Sequence, residues 1–347
     1  MKPLRKFFDT HKPKFTSGGS LEKYFPIYDV FENLFYSSDK RTFGSVHIRD
    51  SIDLQKVMVV VWMATFPAMF YGMYNLGYHS LAAFEELGAI NKDDWHFIFI
   101  DLLCNYDPKS IWDCIWFGAC YFIPIYLVTF IVGIAWEVIF AIVRGHEINE
   151  GAFVTTVLFA LCCPPDAPLW QVALGISFGI VVAKEIFGGT GKNFLNPALA
   201  GRAFLYFAYP VDWSGDSVWV AVDGYSSPTI LGIGAQEGLN GIQAQYSWSD
   251  AFFGSIPGSI GETSTLFILL GLAILLYTRV ASWRIIAGVL LGTFVTSELF
   301  NFIGSDTNPM FSLPFHWHLV IGGFAFGLTF MAVEPVSGSH TNLGRWY

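Results

Sequence analysis

The chain has 347 residues, of which 53% are apolar and 14% are charged, and it carries 34 phenylalanines and 12 tryptophans. A soluble domain has about 25% charged residues, and the apolar residues here form long uncharged runs, so the composition excludes a soluble enzyme and predicts a polytopic membrane protein. The formal net charge of −9 comes from acids clustered in loops, and it predicts no nucleic-acid partner.

Residues 1–50 are predicted to form a cytoplasmic arm, and residues 51–347 a transmembrane domain. The arm is rich in aromatic residues, and between Leu21 and Tyr36 its apolar residues recur at near-helical spacing. That pattern is typical of a segment that lies along a membrane surface. Two interpretations remain open, an arm packed on its own protein or on a partner, and an aromatic cover over a lipid-soluble ligand.

About eight apolar runs follow the arm, and each is predicted to be a helix. Their approximate bounds are 57–76, 115–143, 152–163, 169–183, 204–211, 265–277, 285–303 and 318–333. The third run is only about 18 Å long as a helix. It is therefore either a short crossing or a half-helix, and a half-helix would change the parity of every later span.

The charges between the runs are distributed asymmetrically. Basic residues collect on one side under this count, namely Arg144, Lys192, Arg202, Arg279, Arg284 and Arg345. Loops 77–113 and 212–262 fall on the other side and are acidic, and the second contains neither lysine nor arginine. The positive-inside rule then predicts a cytoplasmic N-terminus and a periplasmic loop 212–262 in a bacterial inner membrane.

An internal repeat divides the transmembrane domain. The segment 153–159 recurs as 294–300, and 170–179 resembles 317–327. Paired interrupted helices in two halves of a membrane protein indicate a site between the halves. The predicted fold class is thus an all-α polytopic membrane protein, a helical bundle with an internal repeat and interrupted helices at the repeat interface, with parallel or inverted repeats both possible.

The interruption after the fourth run, residues 184–202, is the first candidate binding site. In lipid, irregular backbone survives only where it is buried in protein or lines a wet cavity. Asn193 and Asn196 offer amide donors and acceptors there, and Gly189 and Gly191 allow close approach of a ligand to the backbone.

Ionisable residues within the runs form a second set of candidates, because acids in a membrane are costly and usually face a partner or an aqueous path. Glu137 lies in the second run and Glu334 closes the eighth. Glu137 is either part of an ion pathway or a structural partner of Lys184 or an arginine. Phe326 and Phe330 could form a hydrophobic constriction or simply pack.

No catalytic constellation is visible in the sequence, which has no Ser-His-Asp set, no phosphate-binding Walker loop and no dinucleotide fingerprint. The cysteines lack metal-ligand spacing and are interpreted as small apolar helix residues, with a metal site completed by another chain as the minor alternative. They are Cys104, Cys114, Cys120, Cys162 and Cys163.

Several segments resemble the B subunits of the sodium-translocating NADH:quinone oxidoreductases. They include HIRDSIDLQKV at 47–57, GGTGKNFLNPALAGRAF at 188–204, IPGSIGETS at 256–264 and GSDTN at 304–308. The related D subunit of Rnf complexes shares the core pattern, but the aromatic arm and the HIRDS segment favour the first family. Members of that family usually continue through further spans, so the sequence is expected to be part of a longer protein.

The resemblance implies an FMN joined through its phosphate to a threonine hydroxyl in an outer loop. The family motif corresponds to Asp223-Gly224-Tyr225-Ser226-Ser227-Pro228-Thr229, which makes Thr229 the expected attachment residue. Ser227 and Pro228 stand where the family has Gly-Ala.

The resemblance also implies a noncovalent riboflavin, which we assign to the break containing Asn193 and Asn196. It further implies ubiquinone as substrate, near Phe31 and Phe35 of the arm and near Gly133 and Ile134 of the second run. Ile134 stands where the family often has a second glycine. Na+, membrane lipid and the other subunits of a membrane redox complex are the expected partners.

The expected function is therefore electron transfer from covalent FMN through riboflavin to ubiquinone, coupled to Na+ translocation, as a subunit of an NADH:ubiquinone reductase. A transporter or channel without redox chemistry is the alternative from another class, and an Rnf-type electron-transport subunit is the alternative within the class. Detection of bound flavin would distinguish the two redox subunits from a transporter or channel without redox chemistry.

Overall fold

The computed structural model describes residues 2–16, 18–25, 28, 32, 36, 54–88, 92, 94–144, 151–216, 218–222, 225–339 and 341–347. Every regular element within these residues is helical, which confirms the predicted all-α class. The α-helices are α1 Lys2–Phe15, α2 Leu54–Ala64, α3 Phe66–Leu87, α4 Phe97–Ile100, α5 Ile111–Arg144, α6 Gly151–Leu161, α7 Leu169–Val181, α8 Pro197–Ala208, α9 Pro210–Trp213, α10 Ile230–Gln245, α11 Trp248–Phe253, α12 Thr265–Tyr277, α13 Trp283–Ile303, α14 Phe315–His318 and α15 Phe324–Phe326.

Four helical segments in the described part of the chain are long and apolar enough to cross a membrane, and they are Val57–Leu87, Ile111–Arg144, Leu169–Phe187 and Trp283–Ile303. Two shorter apolar helices, α6 and α12, accompany them. With 11 residues, α6 is about 16 Å long, about half of a hydrocarbon core of roughly 30 Å. The chain is thus a multi-pass helical membrane protein.

The first predicted span is longer than expected and is broken at Thr65, where α2 ends and α3 begins. Pro67 sits in the first turn of α3. A proline has no N–H to continue the hydrogen-bond ladder of the preceding turn, so a helix tends to restart there. The sequence pattern correctly predicted that this segment is apolar, but it did not predict that one helix ends and another begins at Thr65.

The eighth predicted span, 318–333, is not one helix, and this expectation was wrong. The chain forms the one-turn helix α14, a turn, the short helix α15 and then a π-helix, Gly327–Met331. Gly322 in the turn has φ +60°, a left-handed conformation that interrupts a helix and that glycine adopts without strain.

The loop 212–262 is also more ordered than predicted, because it contains α10 and α11. Both begin at hydroxyl caps, Thr229 for α10 and Ser247 for α11. Gly238 kinks α10 with φ 69° and ψ −156°.

The helices α3 and α5 pack closely through glycine. A side-chain carbon at Gly77 would overlap the carbonyl of Cys114, and one at Gly118 would overlap the carbonyl of Met73. Small residues let helix backbones approach in a membrane, where close packing replaces the hydrophobic effect between helices. This contact therefore fixes the position of the long helix α5, which carries Glu137.

Replacing Gly118 by valine is expected to lower the thermal stability of the detergent-solubilised protein by several degrees, because overpacking costs about 1–3 kcal/mol. Gly292→Val is the matched control, since a side-chain carbon at Gly292 meets nothing within 4 Å. Equal unfolding temperatures for the two variants would contradict the close α3–α5 contact.

The described part of the arm packs on itself. Phe8 and Tyr28 are buried, and the Tyr28 hydroxyl donates to the Phe8 carbonyl at 2.9 Å. Glu32 lies 3.3 Å from Arg5 and 3.4 Å from Lys12. These contacts agree with the packed-arm interpretation. Half of the predicted surface helix between Leu21 and Tyr36 lies outside the described residues.

Candidate cofactor and ion sites

Thr229 occupies the N-cap of α10, a helix of 16 residues. Its φ of −70° and ψ of 155° are extended, and its Oγ1 accepts a hydrogen bond from the Gly232 N–H at 3.1 Å. The N-terminus of a helix carries partial positive charge and presents backbone N–H groups, so it favours an anion. Asp223 and Gly224 of the predicted motif lie outside the described residues.

A cavity of about 460 Å³ opens beside Thr229. That volume lies within the range of about 300–1,000 Å³ that is usual for small-molecule sites. Its walls include Arg202, Trp213, Trp219, Glu262, Thr263 and Gly323. The turn that interrupts the eighth predicted span supplies Gly322 and Gly323 to the wall, so the missed break in the helix shapes this site.

Arg202, on α8, lines the cavity, and two of its three nitrogens are bonded. It lies beside Trp213 and Glu262, so the expectation that Arg202 falls on the side opposite loop 212–262 was wrong. Its Nε donates to the Cys162 carbonyl at 3.0 Å and its Nη2 to the Trp213 carbonyl at 3.2 Å. Its guanidinium lies over the Trp213 ring, 5.1 Å from the centroid. The remaining Nη1 is buried and has no hydrogen-bond partner among the described residues.

Two further polar groups lie in the same wall. Thr263 is 4% exposed, and its Oγ1 also has no hydrogen-bond partner within the described part of the chain. Burial raises the pKa of Glu262, in the loop before α12, and the nearby Arg202 guanidinium acts in the opposite direction. The cavity therefore combines a cation, a titratable acid and a buried hydroxyl.

The glycine break between α7 and α8 has the backbone that the sequence suggested. Gly189 has φ 92° and Gly191 has φ 86°, a region that favours glycine. Asn193 organises the loop, since its Oδ1 accepts from the Gly191 N–H at 3.3 Å and its Nδ2 donates to the Leu195 carbonyl at 2.9 Å. The Thr190 hydroxyl is buried without a hydrogen-bond partner among the described residues.

Asn196 joins the two broken regions of the chain. Its Oδ1 caps α8 by accepting from the N–H groups of Ala198 at 2.9 Å and Leu199 at 3.2 Å. Its Nδ2 donates to Glu334 Oε2 at 2.8 Å, and the same oxygen accepts from Ser337 Oγ at 2.6 Å. Glu334 thus contacts the first break directly, although 138 residues separate it from Asn196.

The replacement Asn196→Ala is expected to lower the unfolding free energy by about 1–2 kcal/mol, because it removes a helix cap and one partner of a buried carboxylate. Asn196→Asp keeps the capping oxygen but places a second acid against Glu334. Thermal unfolding in detergent at pH 7 and pH 5 separates the two effects. The aspartate variant should recover stability at the lower pH and the alanine variant should not, and identical pH responses would contradict the Asn196–Glu334 contact.

Glu137 and Lys184 form a hydrogen-bonded ion pair between α5 and the end of α7. Glu137 is 2% exposed and Lys184 3%. Beside them, Arg144 Nη1 donates to Glu185 Oε2 at 2.8 Å and Nη2 donates to the Glu185 carbonyl at 2.6 Å. The predicted pairing of Glu137 with Lys184 is present, and a role in ion movement stays a prediction.

The residues assigned to quinone lie in different environments. Gly133 is buried in α5, and a side-chain carbon there would approach Thr156 at 2.7 Å and Ile180 at 3.2 Å. Ile134 is partly exposed. Phe31 and Phe35 of the arm lie outside the described residues.

Phe326 and Phe330 are both buried, at 0% and 1% exposure, with ring centroids 5.0 Å apart. The Phe330 ring also lies where a side chain at Gly271 would sit. These contacts show that the two rings pack in the bundle, and a role as a constriction stays a prediction. All five cysteines are buried and free, as the small-apolar interpretation predicted.

One polar cluster was not visible in the sequence. Potential ligand atoms of Asp94, His96 and Asp166 lie within 4.8 Å of one another. The His96 Nδ1 lies 2.5 Å from Asp94 Oδ2, and the Tyr121 hydroxyl donates to that oxygen at 3.2 Å. These bonds account for the arrangement without a ligand. Asp94 and His96 are two residues apart in the loop before α4, whereas Asp166 comes from the loop between α6 and α7. Only the fold brings Asp166 to the other two, so local spacing could not have indicated the whole cluster.

The fold and these sites define a class of protein, a multi-pass helical membrane protein with interrupted helices and a ligand-sized cavity at a loop threonine. The chain belongs to the NQR2, RnfD, RnfE family, whose model matches residues 41–347. Among its relatives is the B subunit of the Na(+)-translocating NADH-quinone reductase of Pseudomonas paraeruginosa, 55% identical over 99% of this chain and 86% of the relative.

Two further relatives with the same name are similar over the same share of the chain. The protein of Azotobacter vinelandii is 57% identical over 99% of this chain and 86% of its own length. That of Chromohalobacter salexigens is 56% identical over 99% of this chain and 83% of its own length.

Proposed function

We propose that this chain is the flavin-carrying membrane subunit of a sodium-translocating NADH:quinone oxidoreductase, with FMN attached to Thr229. The observation that carries the proposal is the position of Thr229, which caps a helix at the edge of a cavity of about 460 Å³. The names of relatives that are 55–57% identical support the same assignment.

The chemistry at Thr229 fits a phosphate ester. Attachment would join the Thr229 oxygen to the flavin phosphorus while another P–O bond breaks and the hydroxyl proton is lost, a net loss of water relative to FMN and threonine. The product would be a phosphodiester with one negative charge beside the start of α10. The helix dipole and the N–H of Gly232 would stabilise that charge. Flavin supplies the electron-transfer chemistry when bound, and the protein supplies its position and its electrostatic surroundings.

The glycine break fits a second, noncovalent flavin. Asn193 and Asn196 each use one amide hydrogen in the bonds described above, and an amide group has two. The buried Thr190 hydroxyl is an additional donor or acceptor. We therefore assign riboflavin to the break formed by Gly189, Gly191, Asn193 and Asn196.

The two flavin sites would lie toward opposite ends of α7. Gln171, in the first turn of α7, accepts from the indole N–H of Trp213 in the Thr229 cavity at 2.6 Å, and the break begins after the last turn. Thirteen residues of helix place these ends about 20 Å apart. Ubiquinone would receive electrons near Gly133 and Ile134, with Phe31 and Phe35 of the arm as further contacts.

Coupled Na+ movement is proposed to involve Glu137 and Glu334, with Phe326 and Phe330 as a hydrophobic constriction. Support comes from the burial of both acids and from the bond that connects Glu334 to the riboflavin site. The membrane is proposed to be a bacterial inner membrane, with the N-terminus cytoplasmic and loop 212–262 periplasmic. The other subunits of the complex, ubiquinone, Na+ and lipid are its proposed partners.

Peptide mass spectrometry of the complex purified from its native host tests the proposal. The peptide containing Thr229 should carry the mass of FMN less one water, and fragmentation should place it on Thr229 rather than on Ser226 or Ser227. Ultraviolet fluorescence of the denatured subunit should accompany that mass. An unmodified peptide in a fully assembled complex would contradict the attachment at Thr229 and would favour a transporter or channel without redox chemistry.

A further inference from the structure

Resting on the proposed function, we propose that the cavity beside Thr229 holds the flavin ring itself, and that Arg202 and Thr263 position the ring through its polar edge. Nothing in the sequence motif around Thr229 requires this, because a tethered FMN could equally extend into a partner subunit or into solvent. The assignment comes from the polar atoms left unpaired in the cavity wall.

Arg202 is held ready to donate. The Cys162 and Trp213 carbonyls fix its Nε and Nη2, and the Trp213 ring supports the guanidinium plane. A buried donor without a partner destabilises the folded protein, so the unpaired Nη1 points to a ligand atom that accepts a hydrogen bond. The two carbonyl oxygens and the ring nitrogens of an isoalloxazine provide such acceptors.

Thr263 provides the second, independent indication. Its hydroxyl is buried, lines the same cavity and has no hydrogen-bond partner within the described residues. Unlike Arg202 it comes from the loop before α12, so two residues from separate elements line one cavity and each has an unpaired polar atom. A hydroxyl can donate to a carbonyl or accept from the ring N–H.

The other walls suit a flat aromatic ligand. The indole of Trp213 is fully buried beneath the Arg202 guanidinium and offers no open face. The indole of Trp219 is partly exposed and is fixed by a bond to the Gly215 carbonyl at 2.6 Å. Fixed aromatic side chains offer stacking surfaces with little loss of conformational entropy. A side-chain carbon at Gly323 would lie 2.7 Å from Glu262 Oε1, so a larger residue there would require the Glu262 carboxylate to move.

The charge of Arg202 sets the expected effect. A guanidinium beside the ring favours the form with more negative charge and therefore raises the reduction potential of the bound flavin. Losing one charge-assisted hydrogen bond, which is stronger to the more negative reduced ring, should change the relative binding of reduced and oxidised ring about tenfold. That change corresponds to a shift of about 59 mV toward negative potential for a one-electron step.

The test measures the midpoint potential and visible spectrum of the Thr229-linked flavin in the whole complex by spectroelectrochemistry, together with the peptide mass. The variants are Arg202→Gln, Arg202→Lys and Thr263→Val. Thr278→Val is the control, because Thr278 lies at the far end of α12 and bonds its own helix. Thr263→Val preserves shape and keeps the test available if Arg202→Gln fails to assemble.

We expect the adduct mass in every variant and a shift of the midpoint potential to more negative values with Arg202→Gln. Arg202→Lys should give a smaller shift, because lysine keeps the charge but lacks the planar guanidinium. Thr263→Val should alter the visible spectrum of the flavin. Adducts present with potentials and spectra unchanged from the control would overturn the placement of the ring and leave the proposed function standing. No adduct in the unaltered protein would overturn both.

Discussion

Replacing Thr229 by alanine is expected to eliminate the flavin adduct and to reduce quinone reduction by the assembled complex to background. Alanine has no oxygen to join to phosphorus, so the effect on attachment should be complete rather than graded. The same change removes the N-cap of α10, which costs about 1 kcal/mol. Adduct mass and NADH-dependent quinone reduction are the two measurements.

Two further substitutions at this position separate attachment from capping. Thr229→Asn keeps an oxygen that can accept from the Gly232 N–H but has no hydroxyl, so it should restore stability and still lack the adduct. Thr229→Ser should retain both. Ser247→Ala, which removes the exposed cap of the neighbouring helix α11, should leave the flavin unchanged. Full activity in the Asn variant would show that Thr229 acts only as a cap.

Replacing Lys184 by methionine is expected to destabilise the protein by roughly 3–5 kcal/mol, because it leaves the carboxylate of Glu137 buried without its partner. Glu137 and Lys184 are exposed by only 2% and 3%, so neither group can turn to water. Thermal unfolding of the detergent-solubilised complex measures the loss. A stable Lys184→Met variant would contradict the buried pair.

The double variant Glu137→Gln with Lys184→Met distinguishes a structural pair from an ion pathway. Removing both charges avoids the unpaired group, so stability should largely return. If Glu137 takes part in Na+ movement, the stable double variant should still transfer electrons but lose the dependence of turnover on Na+ concentration. If the pair is only structural, that dependence should remain as in the unaltered protein.

The sequence predicted some parts of the fold closely. The uncharged run 265–277 became α12, Thr265–Tyr277, because Ser264 caps its start and Arg279 follows its end. The buried pairing of Glu137 with Lys184 was one of two open interpretations, since charges within apolar runs need partners. The breaks at Thr65 and in 319–323 were missed, because hydropathy records how apolar a segment is and not whether its backbone stays helical.

The candidate sites were likewise predicted only in part from the sequence. Family resemblance identified Thr229, and the glycine-rich composition identified the break at Asn193 and Asn196. The residue types at those positions indicate what each can do. A threonine hydroxyl and an asparagine amide have known hydrogen-bond donors and acceptors, and glycine has more backbone freedom than other residues.

By itself, then, the sequence determined the membrane class, the apolar helices and the residues that carry reactive or hydrogen-bonding groups, because these follow from the chemistry of each residue and its immediate neighbours. Only the tertiary structure decided the cavity. It brings Arg202 from α8, Thr263 from the loop before α12 and Gly323 from an interrupted helix to the start of α10. Which donors remain unpaired depends on contacts between segments far apart in the chain, and no local pattern encodes them.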